Sequence, residues 1–261
     1  MKRQEFTEHM LPFFTLALGL SAWEAAVRYY AVPPYILPAP SLVVATLIKD
    51  WGTLSGSLIV TLSITFEALA AAVVGGVAIA VAFAQWRLVE RAFFPFAVAM
   101  QVTPIVAIAP LLLIYLSANA AVLVVAFLVA FFPILANTTL GLSSADRNLV
   151  DLFRLYRASR WRQLAWLRLP AALPYFLAGL RIAGGLALVG AIVAEIAAGS
   201  AGQGAGLAYR IVESGFRLNI PRMFAALLLI SASGIAIYLM LSALSYLLLR
   251  HWHESAQRRE T

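Results

Sequence analysis

Two carboxylates stand inside long apolar runs. Glu67 interrupts the run from about 60 to 84, and Glu195 lies near the end of the run from about 177 to 198. An acid at the centre of a membrane helix costs about 2.5–3.5 kcal/mol on the insertion scale, so each must face protein or water rather than lipid. Both have a structural reading. For Glu67 it is a buried hydrogen bond between helices. For Glu195 it is a hydrogen bond to backbone amides of the glycine-rich stretch that follows, Gly199 to Gly206. They also share a functional reading, in which they line or gate a solute path or exchange protons. A third apolar run carries Gln101, Thr103 and Pro104. Pro104 and Pro110 free backbone carbonyls, which membrane helices tolerate when neighbouring groups or water satisfy them. That makes this helix a candidate wall of the path.

Other chemistries are excluded. The chain has no cysteine, so disulfides, thiolate metal sites and thiol nucleophiles are absent together. Its three histidines, His9, His251 and His253, lie at the chain ends, and no His-Glu-x-x-His run exists. A buried Ser/His pair for intramembrane hydrolysis therefore has no base. His251 and His253 are two residues apart, a spacing that does not converge on a helix, and read as a solvated tail. No Gly-x-x-x-x-Gly-Lys run exists, and the glycine-rich stretch follows a membrane helix where a dinucleotide fingerprint needs a strand. No catalytic set, cofactor site or metal site is expected, and neither is nucleic-acid binding.

The elements that must position these residues are membrane helices. The 261 residues are 62% hydrophobic and only 12% charged, against about 25% charged in an ordinary soluble domain. Mean hydropathy is +0.88. The charge-free run from Ala92 to Ala145 holds 54 residues, too long for one crossing, and folds back near Ser117–Ala120. Six spans are expected: 10–29, 60–84, 93–115, 119–140, 177–198 and 223–249, in one all-α transmembrane domain, 1–261. The first is read as a retained helix, not a signal peptide, because its run is long and no small-residue cleavage site follows. With the N-terminus inside, 14 of the 19 Lys and Arg fall on the inner side. The charge bias therefore places both termini in the cytoplasm. Arg181 is then at the inner interface, free to snorkel. Gly75, Gly76, Gly179, Gly184, Gly185 and Gly190 mark closely packed faces, within the chain or at a dimer seam.

Two connections stand out. Ala31–Ser41 holds Pro33, Pro34, Pro38 and Pro40 and reads as a stiff connector, with Ser41 capping a short interfacial helix to Lys49. The inner loop 141–176 carries six arginines against Asp146 and Asp151. Leu149, Leu152, Phe153 and Tyr156, then Trp161, Leu164 and Leu167, recur at helical spacing. This predicts two amphipathic helices, the second capped by Ser159 and ended by Leu169-Pro170. They could lie on anionic lipid or dock a cytoplasmic partner.

An ordered set of segments carries a resemblance. PPYILPAPS is followed by VTPIVAIAPLLLIYLSAN, then FFPILANTTLGL. Next comes DLFRLYRASRWRQLAWLRLPAALPYFLAGLR, and finally IVAEI with GAGLAYRI. Over residues 30–250 the chain resembles the inner-membrane permease of a binding-protein-dependent ABC importer. It is most similar to the nitrate/sulfonate/taurine branch, which includes permeases for thiamine-precursor pyrimidines and riboflavin. The resemblance implies the type I importer permease fold in the bacterial inner membrane. It implies a second permease copy in a homodimer, a cytoplasmic ABC ATPase dimer holding the ATP and Mg, and a periplasmic or lipid-anchored solute-binding protein. It also turns the inner loop into a coupling helix. Asp151 stands at the family's acid position, Leu152 and Phe153 at its two alanines, Arg157 at its glycine and Leu169-Pro170 at its end. Arg157 in place of glycine is expected to move the sharp turn toward Ala158-Ser159. Trp161 completes the expected contact set. The alternative is a proton-coupled secondary transporter using Glu67 and Glu195.

Overall fold

A computed structural model describes residues 2–199 and 204–250, with side chains from Met10 onward except that of Val106. His251, His253 and the 200–203 part of the glycine-rich stretch lie outside the described residues.

Described residues form helices and no strands. In order they are α1 (Lys2–Tyr29), α2 (Pro40–Lys49), α3 (Trp51–Gln85), α4 (Arg87–Val102), α5 (Ile105–Tyr115), α6 (Ala118–Ser143), α7 (Arg147–Leu155), α8 (Arg160–Gln163), a π-turn (Leu164–Arg168), α9 (Leu169–Ala198), α10 (Leu207–Phe216) and α11 (Ile220–Leu249). Five helical stretches are long and apolar enough to cross a membrane: Met10–Tyr29, α3, α6, Arg160–Ala198 and α11. A sixth crossing requires α4 and α5 together, and these are bent by 105°. The straight span expected over 93–115 is therefore broken. Pro104 is the cause: it has no N–H to continue the ladder and holds Thr103 in extended backbone, φ −69° and ψ 130°.

α3, α6 and α9 make the core. Leu69, Ala72, Ala130, Ile134, Leu177 and Ala183 interlock there, fully buried or nearly so. Glycines set the approach. A side chain at Gly190 would strike the Ala126 backbone, one at Gly179 the Pro133 carbonyl, and one at Gly184 would meet Leu241 of α11. These glycines serve packing inside the chain, while Gly185 faces open space. The core thus follows the small-residue logic of membrane helices, in which close backbone contact replaces bulk burial.

Several boundaries differ from the sequence expectation. α3 begins at Trp51 rather than 60 and runs 35 residues, about 52 Å. α9 begins at Leu169, and Leu169-Pro170 does not end the preceding helix. A proline is tolerated in a first helical turn, and here the π-turn before it absorbs the missing N–H. Helix is therefore almost continuous from Arg160 to Ala198, and only 144–159 forms a separate connection. Arg181 lies more than three turns into α9, half-buried. α2 starts at Pro40, so Ser41 is not its cap.

Candidate functional site

At one end of the bundle a carboxylate organises a helix start. Glu195, in the last turn of α9, is 3% exposed. Thr61 of α3 donates its hydroxyl to Glu195 Oε1 at 2.7 Å, and the Ala208 N–H donates to Oε2 at 3.0 Å. Thr61 Oγ1 in turn accepts the Leu207 N–H at 2.9 Å. Leu207 and Ala208 are the first residues of α10, whose amides have no partner within the helix. One acid and one hydroxyl, from two different helices, thus cap a third. The carboxylate also sits at the positive end of the α10 dipole. Gly206 completes the fit, because any side chain there would overlap the carboxylate.

α10 is held further along its length. Arg210 donates from Nε to Ser57 Oγ at 2.9 Å and pairs with Glu213 at 2.9 Å. Arg217 approaches the other Glu213 oxygen at 3.0 Å. The Arg210 hydrogen bond, reinforced by the charges of Arg210, Arg217 and Arg222, holds the Glu213 carboxyl below its ordinary value. Arg222 of α11 pairs with Asp50 at 3.4 Å.

The same device recurs at α2. Glu24 of α1 accepts the Ser41 N–H at 3.0 Å, the Ser41 hydroxyl at 2.7 Å and Arg28 Nε at 2.6 Å. Sequence reasoning gave the cap to Ser41; the structure gives it to Glu24.

The opposite end holds the α7 connection. Asp146 caps α7 by accepting the Asn148 N–H at 2.7 Å, and Ser159 caps α8 by accepting the Arg162 N–H at 3.3 Å. Between them the chain turns at Arg157, φ +51°. The Ala158 N–H reaches the Phe153 carbonyl at 2.9 Å, and the Arg157 N–H reaches that of Arg154 at 2.9 Å. This is a Schellman turn, whose left-handed position favours glycine. The turn has not moved to Ala158-Ser159: Arg157 adopts the glycine conformation despite its side chain. No residue of α7 is buried. Leu149, Leu152, Leu155, Tyr156 and Trp161 are exposed. Phe153 is half-buried, and among the described residues Asp151 pairs with Arg154 alone, at 3.0 Å. Leu169 and Pro170 are exposed at the start of α9.

Glu67 departs from its structural reading. It lies near the middle of α3 with its side chain exposed, on a face shared with Ser63, Ala70 and Val74. No hydrogen bond or ion pair reaches it among the described residues. Gln101, Thr103 and Pro104 are also exposed, at the α4–α5 break. Thr103 Oγ1 turns back to the Ala99 carbonyl at 2.8 Å. No described hydrogen bond joins these residues to Glu67 or Glu195. α10, and the part of Thr61 and Gly206 in capping it, were missed in the sequence. Gly206 next to an amphipathic decapeptide was the available signal.

Three comparisons bear on this arrangement. Residues 72–257 match the family described as the binding-protein-dependent transport system inner membrane component. The riboflavin transport system permease protein of Chloroflexus aurantiacus is 33% identical over 98% of this chain and 94% of its own length. The formylaminopyrimidine transport permease protein of Halalkalibacterium halodurans is 32% identical, over 95% of this chain and 98% of its own. A chain from the solved structure of an amino acid ABC transporter with histidines superposes with a TM-score of 0.62 at 19% identity. That overlap covers 78% of this chain and 96% of the other, and shows the fold alone.

Proposed function

The chain belongs to the family of binding-protein-dependent inner-membrane transport components and is an ABC importer permease subunit; from that premise we propose how it works. Two copies enclose a solute path. A cytoplasmic ATPase dimer, which holds the ATP and its magnesium, grips the α7–α8 connections. A solute-binding protein delivers cargo on the α10 side. In this orientation both termini and α7 are cytoplasmic, and the chain itself is no enzyme.

The single observation that carries the coupling reading is the unburied α7. A nine-residue helix, capped at its start and closed by a fixed turn, presents Leu149, Leu152 and Leu155 outward beside Trp161. Exposed apolar groups concentrated on a short, firmly held helix mark a partner surface. Asp151→Lys or Trp161→Ala is expected to lower transport and to release the co-purified ATPase while the spans stay inserted. Normal ATPase recovery with both variants would count against the reading.

The path reading rests on Glu67, Gln101, Thr103 and Pro104. Irregular backbone and an unpartnered acid at membrane depth are tolerated only against protein or water, and these four residues stand exposed on the chain. Facing a second copy across a wet path supplies both. Glu195 takes a different part: its oxygens are committed to Thr61 and α10, so it holds the helix that closes the path rather than touching cargo. The cargo is a small organic solute of the flavin or pyrimidine kind named for the two relatives, with sulfonates and nitrate as the other class. Nothing in the geometry favours proton coupling: both Glu195 oxygens are hydrogen-bonded within the chain, and no described residue forms a relay from it to Glu67.

A further inference from the structure

Beside α7 the chain encloses a cavity of about 690 Å³ that the coupling reading does not use. Arg87, Arg154, Arg160 and Arg168 line it, against one acid, Glu90. Two of these arginines are held in place by the end of α3. Arg160 donates to the Gln85 carbonyl and Arg168 to the Ala84 carbonyl, each at 3.3 Å. Each such contact uses one of five N–H groups of a guanidinium, so donors remain for a ligand. Arg154 is shared with Asp151, and no described partner reaches Arg87.

A second, open cavity of about 480 Å³ lies farther from α7 along the same three helices. Its walls are apolar: Val73, Val77 and Ala78 of α3, and Leu169, Leu173 and Phe176 of α9. One polar atom interrupts them. Thr138 of α6 lines this cavity, is 2% exposed, and its hydroxyl has no hydrogen-bond partner. That unpaired hydroxyl is a donor that a ligand acceptor would satisfy. From Thr138 to Leu142 and Ala145, which line the basic cavity, is about 6–10 Å along α6.

We infer that the α7 end of α3, α6 and α9 binds one anionic glycerophospholipid. Its phosphate sits among Arg87, Arg154, Arg160 and Arg168. Its ester oxygens lie near Thr138, and an acyl chain fills the apolar cavity. The order of chemistries matches the molecule: cationic donors outermost, one hydroxyl beneath, hydrocarbon deepest. Planar guanidinium donors match the oxygens of a phosphate bidentately. A free phosphate would use only the outer cavity and leave the apolar one and the Thr138 hydroxyl unexplained. In the orientation proposed above this is an inner-leaflet lipid; binding itself does not depend on that orientation. The lipid would wedge the α3–α4 elbow against the α7–α8 connection, making the pose of the coupling helix sensitive to lipid charge.

The test uses the purified full chain in detergent, with phosphatidylglycerol, phosphatidylcholine and inorganic phosphate as probes. Retained lipid is read by native mass spectrometry and protection by thermal unfolding. Wild type is expected to retain phosphatidylglycerol and not phosphatidylcholine. Arg87→Gln with Arg168→Gln is expected to weaken that retention about thirtyfold, from about a factor of five per arginine near a membrane surface. Ala78→Trp, which fills the apolar cavity from an exposed position, is expected to abolish retention while leaving the unfolding transition in phosphatidylcholine unchanged. Equal retention of the two lipids overturns the inference. So does equal protection by inorganic phosphate together with indifference to Ala78→Trp, which marks a free-anion site. If the arginine variants keep the lipid but lose the co-purified ATPase, the cavity belongs to that protein and the inference also fails. None of these readouts depends on transport, so this inference can fail while the permease reading stands.

Discussion

Replacing Glu195 by alanine tests the cap on α10. The change removes the acceptor of the Ala208 N–H and of the Thr61 hydroxyl, both in a buried setting. Each orphaned donor costs about 1–3 kcal/mol. Thr61 can turn its hydroxyl back to the carbonyl of Ser57, four residues earlier in α3, so the lower end applies to it. Together they come to about 3 kcal/mol, or about a hundredfold in the population of the opened state. Hydrogen exchange reads this directly, because amides at the start of α10 exchange through local opening. In Glu195→Ala the amides of Leu207 and Ala208 should exchange about a hundredfold faster, while those of the α6–α9 core keep their rates. Glu195→Gln retains one acceptor oxygen and should fall in between. Gly206→Ala should resemble the alanine variant, since its methyl displaces the carboxylate. Exchange at Leu207 and Ala208 within threefold of wild type in Glu195→Ala would refute the capping argument.

Two further outcomes follow from the geometry. Arg157→Gly should raise the thermal unfolding midpoint, because left-handed backbone costs a side-chain-bearing residue about 1–2 kcal/mol and glycine little of that; Arg157→Val, branched at Cβ, should lower it, and equal midpoints for the two would contradict the turn assignment. Glu213 is held below the ordinary carboxylate value of about 4.5 by Arg210, so its contribution to stability is complete above that value and is lost as the pH falls toward its folded value. Protection of α10 amides should therefore decline with acid in wild type and lose that dependence in Glu213→Gln.

What the sequence disclosed was whatever is written locally. Charge-free runs disclosed the spans, since hydrophobicity over about 20 residues needs no tertiary information. Ser159 showed itself as a cap because capping chemistry acts within three residues. Pro104 was visible as a breaker, but not the 105° bend, because the angle depends on what α4 and α5 rest against. The carboxylate caps were hidden for a different reason. Thr61 and Glu195 are 134 positions apart, and Thr61 and Leu207 are 146 apart, so no periodicity links them. Glu195 was assigned to nearby amides, the right class of partner, but α10 itself was read as loop. Glu67 was expected to be buried because an acid in an apolar run needs a partner; the structure leaves it exposed on the outside of α3. Arg157 misled through propensity: glycine is preferred in a left-handed turn, but the two closing hydrogen bonds hold an arginine there.

The near-continuous helix from Arg160 to Ala198 joins the two ends of the molecule. Its 39 residues span about 58 Å; the α8 turn stands at one tip and the Glu195 carboxylate near the other. A stiff rod of that kind has few ways to absorb displacement. If a partner tugs the α8 tip along the axis, the far tip travels with it, and the Glu195 carboxylate, one oxygen on α10 and the other on Thr61 of α3, leaves little slack to lose the stroke. Its compliant joints are the π-turn at Leu164–Arg168 and Pro174 inside α9, so the reach of any pull along the rod is set by how firmly those two places keep their pitch.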